Sequence, residues 1–193
     1  MRVNILIMII GLDISTTTIG YSLFRDNLKL IGLSHINLKN ETDLLKKLDI
    51  VKSELNGIKT KYEDDNYYVF IEAPLFTTPK NINTTAMLLA FNGMVTAISY
   101  VVFENKPTPV TVYNARKFFC PELVKVTHKR DGTIKETLSF GSRDKKHYIW
   151  DKVKGLEPQI NWVMKRTGKP KDYHYDETDS YIIAYYGYYH FFK

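Results

Sequence analysis

The sequence of 193 residues contains only one cysteine, Cys120. A single thiol excludes an internal disulfide framework and a zinc site built from cysteines. The scarcity of cysteine is also compatible with a reducing compartment. We expect Cys120 to be a small, buried, apolar residue.

The chain also lacks an evident targeting or membrane segment. A membrane span requires roughly 18 to 20 apolar residues, and the most apolar long stretch, Ala86 to Phe103, is interrupted by small and polar residues. The N-terminal apolar run from Val3 to Leu12 is followed directly by Asp13 and has no small-residue cleavage site, so we interpret it as a central strand. We therefore expect a soluble protein that is not secreted and has no membrane partner.

Internal repeats, low-complexity tracts and a clear interdomain linker are absent from the sequence as well. A chain of this length is long enough for one well-buried domain and short for two. We expect a single domain over residues 1–193. The hydrophobic share of 44% and the charged share of 25% are typical of a globular protein, and 14 Tyr and 10 Phe make it unusually aromatic.

Positive charge is concentrated in one part of the chain. The formal net charge is +6, but residues 116–171 contain fifteen Lys or Arg against six Asp or Glu. Such a basic segment favours polyanionic partners, because Lys and Arg gain affinity by releasing counterions from nucleic acid phosphates. The candidate DNA-binding residues of this less regular region are Lys125, Lys129, Arg130, Arg143, Lys145 and Lys146.

Hydrophobic periodicity predicts a mixed α/β fold. Period-two patterns and turn signals predict strands, and spacings of three and four predict helices. The predicted strands are 3–12, 19–24, 28–38, one ending at Glu72, and 110–113, and the predicted helices are 41–62, 82–103 and 175–191. Asn40 or Thr42 is a candidate N-cap of the first helix. This order of elements fits a ribonuclease H-like fold, a five-stranded mixed sheet flanked by helices.

Four carboxylates follow these elements in a pattern that predicts a metal site. Asp13 and Glu72 each close an apolar strand, whereas Asp176 and Asp179 lie three residues apart on one face of the last helix. With no basic residue adjacent to them, we expect the four side chains to converge and to require divalent cations. The predicted cofactor is a pair of Mg²⁺ ions, for which Mn²⁺ can substitute.

Three segments resemble RuvC-type Holliday junction resolvases, and the first of them equally resembles the first RuvC segment of CRISPR nucleases. The similarity covers nearly the whole chain in order and spacing. The segments are Ile10 to Ser15 with Thr18 to Ser22, Val69 to Glu72, and Asp176 to Asp179 followed by an apolar helix. The sequence departs from the family at Ile14-Ser15, where a Pro-Gly-like pair is common, and residues 120–171 have no clear counterpart.

The resemblance implies a structure-selective endonuclease that makes paired symmetric cuts in a four-way DNA junction. Asp13 would be the bridging metal ligand, and the products would carry a 5′ phosphate. It also implies a homodimer, for which the small residues of the helix near 84–103 offer a packing face. Phe76 occupies the position of an aromatic residue that contacts unpaired bases.

The resemblance further implies that the fold begins near Met8, so that residues 1–7 form an extension. The compact and divergent form favours a viral origin, and we expect a cytoplasmic or host-intracellular location.

Other functions remain open at the level of sequence. A debranching or flap endonuclease would share the same acidic residues, and an RNA-guided or transposon-related relative would share the fold. Residues Gly11 to Thr17 also resemble the first phosphate loop of sugar kinases and actin-like ATPases, although the chain is too short for their two halves. A non-catalytic binder of branched DNA is less consistent with four retained carboxylates. Among His128, His147 and His174, the last is the best candidate for positioning water near the site.

Overall fold

The fold is built around one five-stranded mixed sheet. The computed structural model describes residues 6–25, 27–62, 65–74, 82–142 and 144–193. The sheet strands are β1 (Leu6–Ile14), β2 (Thr18–Arg25), β3 (Leu30–Asn37), β4 (Asp65–Glu72) and β5 (Thr108–Val110). Their order is β3-β2-β1-β4-β5, with β1 to β3 antiparallel and with β4 and β5 parallel to β1. The predicted fold class and the central position of the first strand are therefore confirmed.

Helices cover both faces of the sheet. They are α1 (Leu44–Lys61), α2 (Ile82–Phe103), α3 (Val112–Phe119), α4 (Lys145–Leu156) and α5 (Tyr173–Phe192). Because side chains alternate along a strand, Ile10 and Leu12 of β1 pack with α1 and α2, whereas Ile9 packs in the core formed with α3, α4 and α5. Asp13 lies four residues after Ile9 on the same strand, so its side chain lies on the same face of the sheet, which α5 covers.

Two glycines allow α5 to approach the sheet closely. A Cβ at Gly11 would lie 2.1 Å from the Ser180 carbonyl oxygen, and one at Gly20 would lie 2.1 Å from the Asp176 carbonyl oxygen. Any larger side chain at either position would therefore displace the helix. Ser22 strengthens this contact, since its hydroxyl donates to the Ser180 carbonyl at 2.9 Å. The first turns of α5, which carry Asp176 and Asp179, are thereby fixed against β1 and β2.

Several local predictions require correction. The segment 110–113 is not a strand throughout, because β5 ends at Val110 and Thr111 caps α3 through a bond from the Asn114 amide. The N-cap of α1 is Asp43, whose carboxylate accepts from two backbone amides, and neither Asn40 nor Thr42 fills that position. Residues 116–171 also form α4 and a hairpin of β6 (Val124–His128) and β7 (Ile134–Leu138), which the sequence pattern did not predict.

The expectation that the stretch from Ala86 to Phe103 is too interrupted to resemble a membrane span also needs correction. By length and composition α2 is apolar enough to cross a membrane, with a mean hydropathy of 1.8 over its most apolar window. Core helices of soluble proteins share this length and composition. In this fold Phe91 and Val95 are fully buried against the sheet, and Asn92 donates to the backbone carbonyl of Glu72 at 3.0 Å. One face of α2 therefore belongs to the core.

The single cysteine behaves as predicted from its scarcity. Cys120 is fully buried among apolar residues between α3 and α4, and its thiol is free. Burial raises the pKa of this thiol to about 11. A thiol with such a pKa is a poor nucleophile and metal ligand at neutral pH, so Cys120 serves packing.

Candidate functional site

The four predicted carboxylates line one cavity at the ends of β1 and β4. Asp13, Glu72, Asp176 and Asp179 all border this space of about 480 Å³. Parallel pairing of β1 with β4 brings Leu12 opposite Ile71, so the next residue of each strand, Asp13 and Glu72, emerges at the same edge. Helix α5 adds its two carboxylates from the side, at the position fixed by the glycine contacts. The structure thus brings together the acidic residues that the sequence pattern singled out.

The two strand carboxyls interact directly. Asp13 and Glu72 are close enough for each to shift the pKa of the other. Burial, followed by the negative charges of Asp179 and Glu72, raises the pKa of Asp13 well above its ordinary value. Burial also raises the pKa of Glu72, although the hydrogen bond from Asp13 opposes that shift. Burial and the neighbouring negative charges thus disfavour the charged form of Asp13, and burial disfavours that of Glu72, whereas a divalent cation would favour the charged forms of both.

The two carboxylates of α5 are each paired with a basic side chain. Arg116 of α3 donates to both oxygens of Asp179, from Nη2 at 2.9 and 2.8 Å. Lys146 Nζ of α4 lies 3.4 Å from Asp176 Oδ1. The expectation that the four acids lack a basic partner is therefore wrong, because helices contributed by the basic segment 116–171 fold over the acidic edge of the sheet.

This pairing determines how well the site fits a divalent cation. In the described part of the chain, no group of three or more His, Cys, Asp or Glu side chains is arranged to hold a metal ion. The donor chemistry nevertheless suits Mg²⁺ or Mn²⁺, since all four side chains offer hard oxygen ligands. Burial raises the pKa of Asp13 and of Glu72, while Asp176 and Asp179 are paired with Lys146 and Arg116. Ligation of a common ion therefore requires the side chains to exchange these partners.

The predicted DNA-binding residues divide into two groups. Lys145 and Lys146 begin α4 and line the acidic cavity. The negative charges of Asp179, Asp176 and Asp13 raise the pKa of Lys146 against the lowering effect of its burial. The second group is exposed on the β6–β7 hairpin and its turn, and it consists of Lys125, Lys129 and Arg130. Phe76 and Arg143 lie outside the described residues.

His174 does not line the cavity, contrary to the expectation from the sequence. His174 is buried on the opposite side of α5, where its Nδ1 bonds a Glu177 oxygen at 2.6 Å and its Nε2 accepts the Val163 amide at 2.9 Å. Because Nε2 accepts, Nδ1 carries the hydrogen and donates a hydrogen bond to Glu177. The second oxygen of Glu177 is bound by His35. The proposed water-positioning role of His174 is wrong, and this histidine anchors the start of α5.

Arg116 is the functional residue that sequence reasoning missed. Arg116 belongs to the basic segment but is not among its predicted DNA-binding residues, and it follows directly on the residues 110–113 that are predicted as a strand. The signal was present in the spacing of the buried residues Val112, Ala115 and Phe119, with Thr111 as an N-cap. That helical pattern directs Arg116 and Tyr113 to the cavity.

Comparisons with known proteins give a fold but no family. No family model matches the chain. An uncharacterized protein of Ureaplasma parvum serovar 3 (strain ATCC 700970), UU157, is 28% identical over 109 residues, which are 55% of this chain and 47% of that protein. The match thus spans about half the length of this relative.

Two solved structures match almost the entire chain. The structure of RuvC from T. thermophilus in complex with a Holliday junction substrate has a TM-score of 0.58 at 8% identity and covers 97% of both chains. The structure of Thermus thermophilus RuvC has a TM-score of 0.56 at 6% identity and covers 96% of this chain and 95% of that one. At such low identity the similarity concerns architecture, and the chain has a RuvC-like fold.

Proposed function

We propose that this protein is a metal-dependent, structure-selective DNA endonuclease, and specifically a Holliday junction resolvase. The observation that carries the proposal is the meeting of four carboxylates from β1, β4 and α5 at one cavity of a RuvC-like fold. One of the structural neighbours is RuvC in complex with a Holliday junction substrate. The acidic cavity and the exposed basic hairpin form a combination that suits cleavage of a phosphate backbone.

In this proposal the four carboxylates Asp13, Glu72, Asp176 and Asp179 hold two Mg²⁺ or Mn²⁺ ions. When bound, such ions lower the pKa of an attacking water and stabilise the leaving oxygen. A bound ion would favour the charged forms of Asp13 and Glu72, whose pKa values burial raises. Asn92 holds the end of β4 in place through the Glu72 carbonyl. The products carry a 5′ phosphate and a 3′ hydroxyl.

Basic side chains on two elements bind the DNA. Lys145 and Lys146 stand beside the carboxylates, at the N-terminus of α4 that Asp144 caps. They are close enough to the cavity to contact the phosphate that is cut. The hairpin residues Lys129 and Arg130 lie farther out and are exposed, which suits contacts with a neighbouring duplex arm.

The active form in this proposal is a homodimer, so that two sites cut opposite strands of a junction. Helix α2 supports this, because its outer face is apolar and exposed. The large side chains on that face are Ile82, Met87, Met94, Tyr100 and Val101. A self-complementary patch around a two-fold axis is the usual way to bury such a surface.

The experiment is cleavage of labelled four-way, three-way, flap and linear DNAs by the purified protein with Mg²⁺ or Mn²⁺. A resolvase cuts the four-way junction with paired symmetric incisions and leaves linear duplex intact. Preferential cutting of flaps or three-way forks would instead identify a debranching or flap endonuclease. Junction binding without any cleavage would identify a non-catalytic binder.

The matched variant is Asp13→Asn, which removes one ligand and its charge without changing the size of the side chain. We expect cleavage to fall by at least about 100-fold while junction affinity stays within about threefold of wild type, because the basic residues are unchanged. Equal loss of binding and cleavage in a folded variant would contradict the assigned role of Asp13.

A further inference from the structure

We propose that Arg116 is an internal counter-ion that competes with the divalent cation for Asp179. The guanidinium holds this carboxylate in the metal-free protein and has to release it before Asp179 ligates an ion. This inference rests on the proposed function, since it assigns a role at the same site. In it Arg116 is a positioning residue, because it acts through Asp179.

The geometry of the pair is that of a strong, partly desolvated interaction. Arg116 Nη2 contacts both Asp179 oxygens at 2.9 and 2.8 Å, and Nε contacts Oδ1 at 3.3 Å. The Asp179 side chain is only 5% exposed and that of Arg116 is 19% exposed. Bidentate pairs between arginine and a carboxylate are among the stronger charge-assisted hydrogen bonds in proteins. Both Asp179 oxygens therefore already bind the Arg116 guanidinium, which occupies the side of the carboxylate that a chelated ion would use.

The surroundings explain why a cation is needed at this point. Asp179 lies in a cavity with three further carboxyls, and its charge raises the pKa of both Asp13 and Glu72. A buried carboxylate without a partner costs several kcal/mol, so the folded protein has to neutralise Asp179 in the absence of metal. Arg116 does this from α3, while Lys146 does the same for Asp176 at the longer distance of 3.4 Å.

Competition is the necessary consequence. A divalent ion bound to Asp179 would place a second positive charge beside the guanidinium, and the two cations repel each other. By linkage, the free energy with which Arg116 binds Asp179 in the metal-free protein reduces the free energy of ion binding by the same amount. The absence of a ready-made ligand cluster in the described residues is consistent with this resting arrangement. Removal of the guanidinium is thus expected to tighten metal binding, whereas a purely structural role would weaken it.

The decisive variants are Arg116→Lys and Arg116→Gln. Lysine keeps the charge but cannot form the bidentate contact, so it separates competition for Asp179 from the general effect of a nearby positive charge. Arg116→Gln removes both the positive charge and the bidentate contact. The matched control is Arg166→Gln, which removes one positive charge from an exposed site that does not line the cavity.

The assay is Mn²⁺ binding to the full chain without DNA, followed by electron paramagnetic resonance of the free ion. We expect the dissociation constant to fall about threefold in Arg116→Lys and about tenfold in Arg116→Gln, where tenfold corresponds to about 1.4 kcal/mol. Arg166→Gln should match wild type. Circular dichroism verifies that each variant is folded. If Arg116→Gln proves unstable, Arg116→Lys still provides the test, because it retains a counter-ion for Asp179.

A second readout follows the guanidinium itself. In the wild type, the NMR signal of the Arg116 Nε–H group, assigned by its loss in Arg116→Lys, should shift when diamagnetic Mg²⁺ is added, because the hydrogen bond to Asp179 breaks. An unchanged signal at saturating Mg²⁺ would overturn the proposal. So would folded Arg116 variants that bind Mn²⁺ no better than the wild type.

These outcomes separate the inference from the proposed function. If wild type binds Mn²⁺ and Asp13→Asn does not, the metal site exists, and unchanged Arg116 variants then refute the competition alone. If the wild type binds no Mn²⁺ with or without junction DNA, the proposed function fails and the inference fails with it.

Discussion

Gly20 offers a direct test of how the fold positions the site. Substitution by alanine would place a Cβ 2.1 Å from the Asp176 carbonyl oxygen, 2.3 Å from the Asp176 carbonyl carbon and 2.7 Å from the Glu177 amide nitrogen. All three atoms belong to the backbone of α5, so no side-chain rotation can relieve the contact. Ordinary contact begins at 3.4 Å, and the strand or helix must therefore move by about 1 Å.

The expected cost follows from that displacement. Overpacking of a well-packed interior costs typically about 1 to 3 kcal/mol, and for a chain of this size each kcal/mol lowers the melting temperature by about 2 to 4 °C. Urea unfolding followed by circular dichroism measures the loss of free energy. Because Asp176 is carried on the displaced turn, cleavage of the preferred DNA should fall by about 100-fold even where the variant is fully folded.

The control is Gly57→Ala in α1, where an added Cβ meets no atom within 4 Å. Alanine in the middle of a helix is more favourable than glycine by roughly 0.5 to 1 kcal/mol, so this variant should be slightly more stable and fully active. If Gly20→Ala proves as stable and active as Gly57→Ala, the close approach of α5 to β2 does not set the position of Asp176.

Three further outcomes are expected. Burial raises the pKa of Asp13 above its ordinary value near 3.8, so the folded metal-free protein holds more protons than the unfolded chain. Its unfolding free energy should therefore decrease as pH rises from about 4 through the raised pKa. Asp13→Asn should flatten this slope in urea titrations. Replacing both Lys129 and Arg130 by Gln should weaken junction binding and lower its dependence on log salt by about 1 to 2 units, measured by fluorescence anisotropy, and an unchanged slope would exclude hairpin contacts. Val101→Glu on the outer face of α2 should give a monomer in sedimentation velocity, whereas Leu156→Glu, an equally exposed apolar position on α4, should leave the wild-type state unchanged.

The sequence predicts the sheet well because its strands have strong and local signals. The apolar runs before Asp13 and before Glu72 are long, as expected for strands that are buried on both faces, and β1 and β4 are such strands. Helices α1 and α5 follow equally clear spacing. The basic region is different, since most of the hairpin residues are exposed and its two short strands pair only with each other. A segment that buries little apolar surface leaves no hydrophobic period to detect.

The candidate site divides in the same way. The four carboxylates were predictable, because each follows or begins an element with a strong pattern and chain order brings them together. Their pairing with Arg116 and Lys146 was not predictable, because these side chains reach the cavity through the packing of α3 and α4 on α5, although the helical spacing of α3 itself is visible in the sequence. Distance along the chain gives no hint of this: 63 residues separate Arg116 from Asp179, and 30 separate Lys146 from Asp176.

An acidic cluster in a nuclease-like fold has to be interpreted together with the groups that neutralise it. Carboxylates at neighbouring strand ends repel one another, and a chain that must fold before it meets metal has to relieve that repulsion by itself. Here the relief takes two forms, a raised pKa at Asp13 and Glu72, which favours their neutral forms, and internal cations at Asp176 and Asp179. Both forms of relief oppose metal loading, since a proton and a guanidinium each occupy oxygens that the ion requires. Metal affinity at this site is therefore expected to rise with pH and with loss of Arg116, and these two effects should add if they act on different carboxylates.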